Sequence, residues 1–253
     1  MLLCLIPLAG CGSSSTPTPT PVSLSGNWQI QSGTAITPVN EGGIFLTGSL
    51  QFEGAQVTGT MNVTASCILQ DTQSLTGLID SSGNLTLAAS PIPDVEALLV
   101  IPSNATQVAT GTVSSAGEIC NIAFSGPGVG AQITAPSGTY TGPVTSGSST
   151  GSVSLALTQS TTPNASGQFP LSGTLTYSAT GCNEPLPVTG TISGTAITLA
   201  SATTPVSGQN YVSVTASTNQ TATQLTASAM QFQPSPCSTS ASSSATYTGT
   251  LNQ

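Results

Sequence analysis

Lysine, arginine and histidine are all missing from the 253 residues of this chain. Each absence closes off a class of function. Phosphate contacts to nucleic acid rest on Lys and Arg, so no nucleic-acid partner is expected, and anionic headgroups are repelled for the same reason. Ser-His-Asp triads, Schiff bases and phosphate clamps have no side chains to build them. Isopeptide cross-links, which need lysine, are excluded as well. With no His and no C-x-x-C spacing, a zinc site is not expected. Aromatic residues make up only 4% of the chain, and the one compact apolar run, Leu2 to Leu8, is shorter than the roughly 20 residues that span a bilayer.

What remains ionisable is eight acids, a few tyrosines and six cysteines, for a net charge of −8. The acids are Glu41, Glu53, Asp71, Asp80, Asp94, Glu96, Glu118 and Glu184. Asp94 and Glu96 are the one pair with spacing suited to carboxylate catalysis. On a strand, residues two apart share a face, and like charges held close push one pKa up. A carboxylate-pair glycosidase is the remote enzymatic alternative; Pro91, Pro93 and Asp94 read more simply as a loop entering a strand over 97–101. Asp80-Ser81-Ser82-Gly83 has one residue too many for an aspartic protease motif and reads as a hairpin turn. Gly126-Pro127-Gly128-Val129-Gly130 lacks the strand–loop–helix setting of a phosphate loop and reads as a flexible loop. The N-x-[ST] triplets at Asn62, Asn84, Asn104, Asn164 and Asn219 follow from composition. The chain is therefore read as non-enzymatic, with no cofactor and no metal.

Thr, Val, Ile and Leu alternate through the body of the chain, which is strand composition. Val57, Gly59, Met61, Val63 and Ala65 share one face of a strand, and Thr58, Thr60, Asn62 and Thr64 the other. The same alternation recurs at Leu171, Gly173, Leu175, Tyr177 and Ala179. Turn signals at Ser81-Ser82-Gly83-Asn84 and Ser193-Gly194 mark hairpin tips. The expected fold is all-β, in two tandem antiparallel meanders of seven to nine strands, each a small barrel or a sandwich.

The tandem rests on an internal repeat. Ser25-Gly26-Asn27-Trp28 matches Ser137-Gly138-Thr139-Tyr140. VTGTMNVTASC (57–67) matches LSGTLTYSATGC (171–182), and SLTGLIDSSGNLTLAAS (74–90) matches PVTGTISGTAITLAS (187–201). A second cysteine closes each unit. The offsets Ser25 to Ser137, Cys67 to Cys182 and Cys120 to Cys237 are 112, 115 and 117 residues, as a duplication with loop drift requires. The units are placed at 24–135 and 136–253. Duplication copies a bridge with its unit, so Cys67 is expected to pair with Cys120 and Cys182 with Cys237.

Two resemblances add to this reading. Leu8-Ala9-Gly10-Cys11 after an apolar run, followed by the Ser/Thr/Pro stretch GSSSTPTPTPVS (12–23), resembles the start of bacterial surface lipoproteins. That resemblance implies a signal peptide over 1–10 and lipid attachment (diacylglycerol plus a further acyl chain such as palmitate) at Cys11. Residues 11–23 become a semi-rigid tether, and the protein is held at the cell envelope, on the outer membrane where the cell has one. The basic residues such signals carry are expected upstream of Met1. Gly26-Asn27-Trp28 and Gly138-Thr139-Tyr140 resemble the Gly-x-Trp opening of calycin barrels, the lipocalins and avidins. The late-strand arginine that covers the tryptophan in lipocalins has no counterpart in this sequence. The function expected is structural or adhesive, on a membrane reached through the lipid anchor. The alternative is a barrel that binds a small apolar or glycan ligand; any partner, including another protein, should be uncharged or apolar. Edge strands rich in Thr and Val are expected to be open to strand addition by such a partner.

Overall fold

Strand alternation closes into two barrels. The computed structural model describes residues 24–38, 43–65, 68–90, 95–101, 108–115, 123–179, 182–201, 210–234, 236 and 243–253. The first barrel comprises β1 (Gly26–Ser32), β2 (Phe45–Glu53), β3 (Gln56–Ala65), β4 (Ile68–Ile79), β5 (Asn84–Ser90), β6 (Val95–Val100), β7 (Ala109–Ser115) and β8 (Phe124–Gln132). The second comprises β9 (Gly138–Ser146), β10 (Ser149–Gln159), β11 (Phe169–Ala179), β12 (Cys182–Ser193), β13 (Ala196–Ser201), β14 (Tyr211–Thr218), β15 (Gln224–Gln233) and β16 (Ala245–Asn252). In each, every strand pairs antiparallel with its sequence neighbours and the last returns to the first: β8 to β1, and β16 to β9. Among the described residues there is no helix.

The repeated segments occupy the same strands of each barrel. The Gly-Asn-Trp and Gly-Thr-Tyr tripeptides open the first strands, β1 and β9. The VTGT and LSGT segments form the third strands, β3 and β11, and the third pair of segments forms the fourth and fifth. Trp28 and Tyr140 are core residues. The Trp28 indole N–H donates to the Leu24 carbonyl at 2.7 Å, and the Tyr140 hydroxyl donates to the Ala222 carbonyl at 2.6 Å. Burial holds the Tyr140 hydroxyl above its ordinary pKa.

An eight-stranded barrel is just wide enough for side chains to fill it, and both are filled. Ile30, Leu50, Met61, Leu85 and Leu99 pack the first interior; Tyr140, Leu155, Leu175, Ile192 and Phe232 pack the second. Their outward neighbours are mostly Thr and Ser. Closing so small a barrel requires sharply coiled strands, and the recurrent Thr-Gly text supplies the corners. A Cβ on Gly77 would lie 1.9 Å from the Thr86 carbonyl oxygen, and one on Gly190 1.9 Å from that of Thr198. Only glycine lets the neighbouring backbone come this close.

Two expectations are corrected. The glycine-rich segment 126–130 is not a loop but the middle of β8. Its inward glycines leave room for large neighbours: a Cβ on Gly128 would meet Val113 at 2.5 Å, and one on Gly130 would meet Leu99 at 2.7 Å. Pro127 lacks the N–H of a ladder donor, but its carbonyl accepts from the Gly33 N–H at 2.8 Å. The open edge strands are also absent from the barrels, because closure pairs β1 with β8 and β9 with β16 and leaves no edge for an added strand.

Candidate functional site

The functional geometry lies between the barrels, and it begins with three outward-facing amides. In β1, Trp28 and Ile30 point into the barrel, so Asn27, Gln29 and Gln31 point out. Yet these three are 0–3% exposed. The tight turn between β12 and β13, Ser193-Gly194-Thr195, at the near end of the second barrel, meets Asn27 and Gln29, and Gln31 is held by Ala35 and Thr37 of the β1–β2 connection.

The contact is fully hydrogen-bonded. Asn27 donates from Nδ2 to the Gly194 carbonyl at 2.8 Å and accepts the Gly194 N–H on Oδ1 at 2.8 Å. Its carboxamide thus stands in for a peptide group of a paired strand. Gln29 Oε1 accepts from the Thr195 N–H at 3.0 Å and from the Thr195 hydroxyl at 2.9 Å. Gln29 Nε2 donates to Gln31 Oε1 and to the Thr37 carbonyl, each at 2.6 Å, which uses both its protons. Ser193 donates to the Thr47 hydroxyl at 2.9 Å. Asn62, on β3, donates to the Ser166 carbonyl at 3.2 Å and accepts from the Thr72 hydroxyl at 2.9 Å. Two glycines permit the approach: a Cβ on Gly194 would meet Thr47 at 2.7 Å, and one on Gly167 the Thr60 carbonyl oxygen at 1.9 Å.

An apolar strip runs beside this polar seam. Ala131 and Ile133 face away from the first barrel and join the core cluster of the second, with Ile36 and Val108 packed against it. The connecting segment is pinned on both sides: the Ile133 N–H donates to Asn27 O at 2.8 Å and the Thr134 N–H to Gln220 O at 2.9 Å. Two clefts flank it. One, of about 490 Å³, lies between the β1–β2 loop at Thr34–Pro38 and Ser217–Gln220. The other, of about 450 Å³, lies between the two facing rims, lined by Ser25 and Thr134 on one side and Gln159, Thr161, Phe169 and Thr221 on the other. Neither is lined by a charged residue.

At the far mouth of the second barrel three rings close the interior. Tyr177, Phe232 and Tyr247 have centroids 5.3–5.7 Å apart. Burial, and then the Tyr247 hydroxyl 3.4 Å away, push the Tyr177 pKa up to about 12. At the first barrel's far mouth, buried Gln73 donates to Asp71.

The residues singled out in the sequence fall elsewhere. Cys11, Cys67, Cys120 and Cys237 lie outside the described residues, as do Glu41, Asp94, Glu118 and Asn104. Cys182 opens β12 and is half-buried. Glu96 sits exposed on the outer face of β6, and the structure does not bring it together with a described carboxylate. Among the described residues no three His, Cys, Asp or Glu side chains cluster as metal ligands. Asp80 is a turn residue: Oδ1 accepts the Ser82 and Asn84 N–H groups at 2.8 and 2.9 Å. Bonding to the Asn84 side chain and backbone holds its carboxyl below the usual range.

The sequence marks Ser193-Gly194 as a hairpin tip and Asn27 as part of a strand opening, but not their pairing across the two units. The signal for the seam is Asn27-x-Gln29-x-Gln31, three amides on the wet face of a strand, where the repeat has Thr139-x-Thr141-x-Pro143. No protein-family model, curated protein or solved structure matches the chain.

Proposed function

We propose that this is a non-catalytic lipoprotein of the cell envelope with a structural or adhesive role, holding two barrels as one body at the end of a lipid-anchored tether. The observation that carries the reading is the seam. Two filled barrels are joined by an uncharged contact in which every buried amide of β1 has a partner, a rigid arrangement suited to spacing and presentation. Both interiors are packed with apolar side chains, which turns a ligand-binding reading away from the barrel interiors and toward their junction.

Lipidation at Cys11 would place the acyl chains thirteen residues before Leu24, where the described chain begins. More than one chain is needed for stable anchoring, because the acidic protein adds no attraction to anionic lipid. The bridges Cys67–Cys120 and Cys182–Cys237 belong to the same proposal. Cys67 lies between the third and fourth strands of its barrel and Cys120 between the seventh and eighth. Cys182 opens the fourth strand of the second barrel, and Cys237 lies between its seventh and eighth. By strand order, the two cysteines of each pair fall at the same end of their own barrel. Each bridge would strap a loop across a mouth and contribute roughly 4 kcal/mol in the chain-entropy model.

Replacing Cys11 by Ser should abolish fatty-acid labelling and release the protein from the membrane fraction. Non-reducing peptide mapping should recover the two linkages within barrels. Persistent labelling in the Cys11→Ser chain would overturn the anchor, and a Cys67–Cys182 linkage would overturn the pairing.

A further inference from the structure

The structure assigns a binding site for a neutral saccharide to the cleft between the two facing rims. This goes beyond the anchored structural role and does not depend on it. The cleft, of about 450 Å³, is of a size for a short oligosaccharide. It is made by both barrels: Ser25 and Thr134 come from the first barrel and its connecting segment, and Gln159, Thr161, Phe169 and Thr221 from the near mouth of the second.

The ligand class follows from what the walls offer. Gln159, the last residue of β10, carries a buried Oε1 with no hydrogen-bond partner among the described residues. A buried acceptor without a donor is costly. The terminal torsion of a glutamine side chain is soft, and Gln159 lines the cleft, so a half-turn that exchanged its two ends would carry the acceptor to the cleft side. An incoming hydroxyl would then satisfy it. A purely apolar ligand would leave it unpaired, so the ligand must bring donors. An ionic ligand would find no counter-charge, since the lining contains no acid and the chain contains no base. Hydroxyls that both donate and accept match Ser25, Thr134, Thr161 and Thr221, which do the same. A neutral sugar meets all these conditions.

The rigid seam sets the width of the cleft. Asn27 lines it and is tied to Gly194 by two bonds of 2.8 Å. The sugar is therefore expected to favour the docked arrangement of the barrels.

Calorimetric titration and saturation-transfer NMR on the full chain would test the site, with cellotriose, maltotriose and chitotriose as neutral probes and a trigalacturonate as the anionic control. Saturable binding of at least one neutral trisaccharide at millimolar concentration or below is expected, with none of the uronate. Gln159→Leu should weaken that binding roughly tenfold, the effect of one lost hydrogen bond to a buried group. Should Gln159→Leu fail to fold, the exposed Thr161→Val and Thr221→Val variants together should show the same loss. Silence with all three neutral sugars, or binding that survives these substitutions in a folded protein, would overturn the site. Preferential binding of the uronate would overturn the charge argument.

Discussion

Single side chains take the place of backbone in several turns. Asp80, Asn164 and Asn219 each close a turn by accepting two N–H groups on Oδ1, the side-chain version of a backbone turn. Only Asp80 can titrate. Its folded carboxyl lies below the ordinary value of 3.8, so its stabilisation is present above that pH and is lost as the pH falls through the folded value. Asp80→Asn should therefore flatten the acid limb of the stability–pH curve below about pH 4, as read by urea unfolding. An unchanged limb would show the turn bonds to be indifferent to charge. Tyr177 acts at the other extreme. With its pKa raised from 10.0 to about 12, the folded state holds a proton that the unfolded state gives up. Stability should fall as the pH rises from 10 toward 12, and Tyr177→Phe should remove that part of the alkaline loss.

Strand by strand, the decisive feature is the corner glycine. Inward and outward positions were legible in the sequence, because Val, Leu and Ile alternate with Thr. The glycines within that alternation were visible as a repeated text, but their task was not, since it depends on which carbonyl of the neighbouring strand approaches. Gly77→Ala and Gly190→Ala should each cost about 3 kcal/mol or more, the upper end of the overpacking range, by forcing strands apart. Gly54→Ala supplies the contrast: its φ is +62° but nothing lies within 4 Å of its Cβ position. It should cost only the left-handed penalty of about 1–2 kcal/mol. Urea midpoints of the three variants would separate close approach from backbone conformation. Equal losses at all three sites would contradict the corner role. Segment 126–130 departs from its sequence reading for the same reason. Glycine richness looks like a loop along the chain, whereas in β8 it makes room for Val113 and Leu99 across the barrel.

For the molecule as a whole, the seam joins what the repeat made separate. Asn27→Ala would leave the N–H and C=O of Gly194 unpaired in a buried contact, at roughly 1–3 kcal/mol per orphaned group. Gly194→Ala would strain a φ of +56° and press on Thr47 and Gln29. The native chain is expected to unfold in one calorimetric transition, with equal calorimetric and van't Hoff enthalpies. Either substitution should split that transition into two, one per barrel. A native chain that already melts in two steps would show the seam to be energetically weak. The contact is heterologous, and such contacts propagate into filaments when the surfaces recur. Here they do not recur: Thr139, Thr141 and Pro143 replace the three amides on β9, and Asp80 and Asn84 occupy the turn that corresponds to Ser193–Thr195.

The sequence alone determined the class of the fold, its duplication and the chemistry it lacks. Those properties reside in composition and in a period of two, which are local and additive. Barrel rather than sandwich, the eighth strand of the first unit, and the mating of one barrel's turn with the other's wall were decided only in three dimensions. Each depends on residues far apart in the chain, Asn27 and Gly194 among them. An amide on the wet face of a strand has the same local sequence whether water or a neighbouring turn satisfies it. Only the folded arrangement decides which partner it finds.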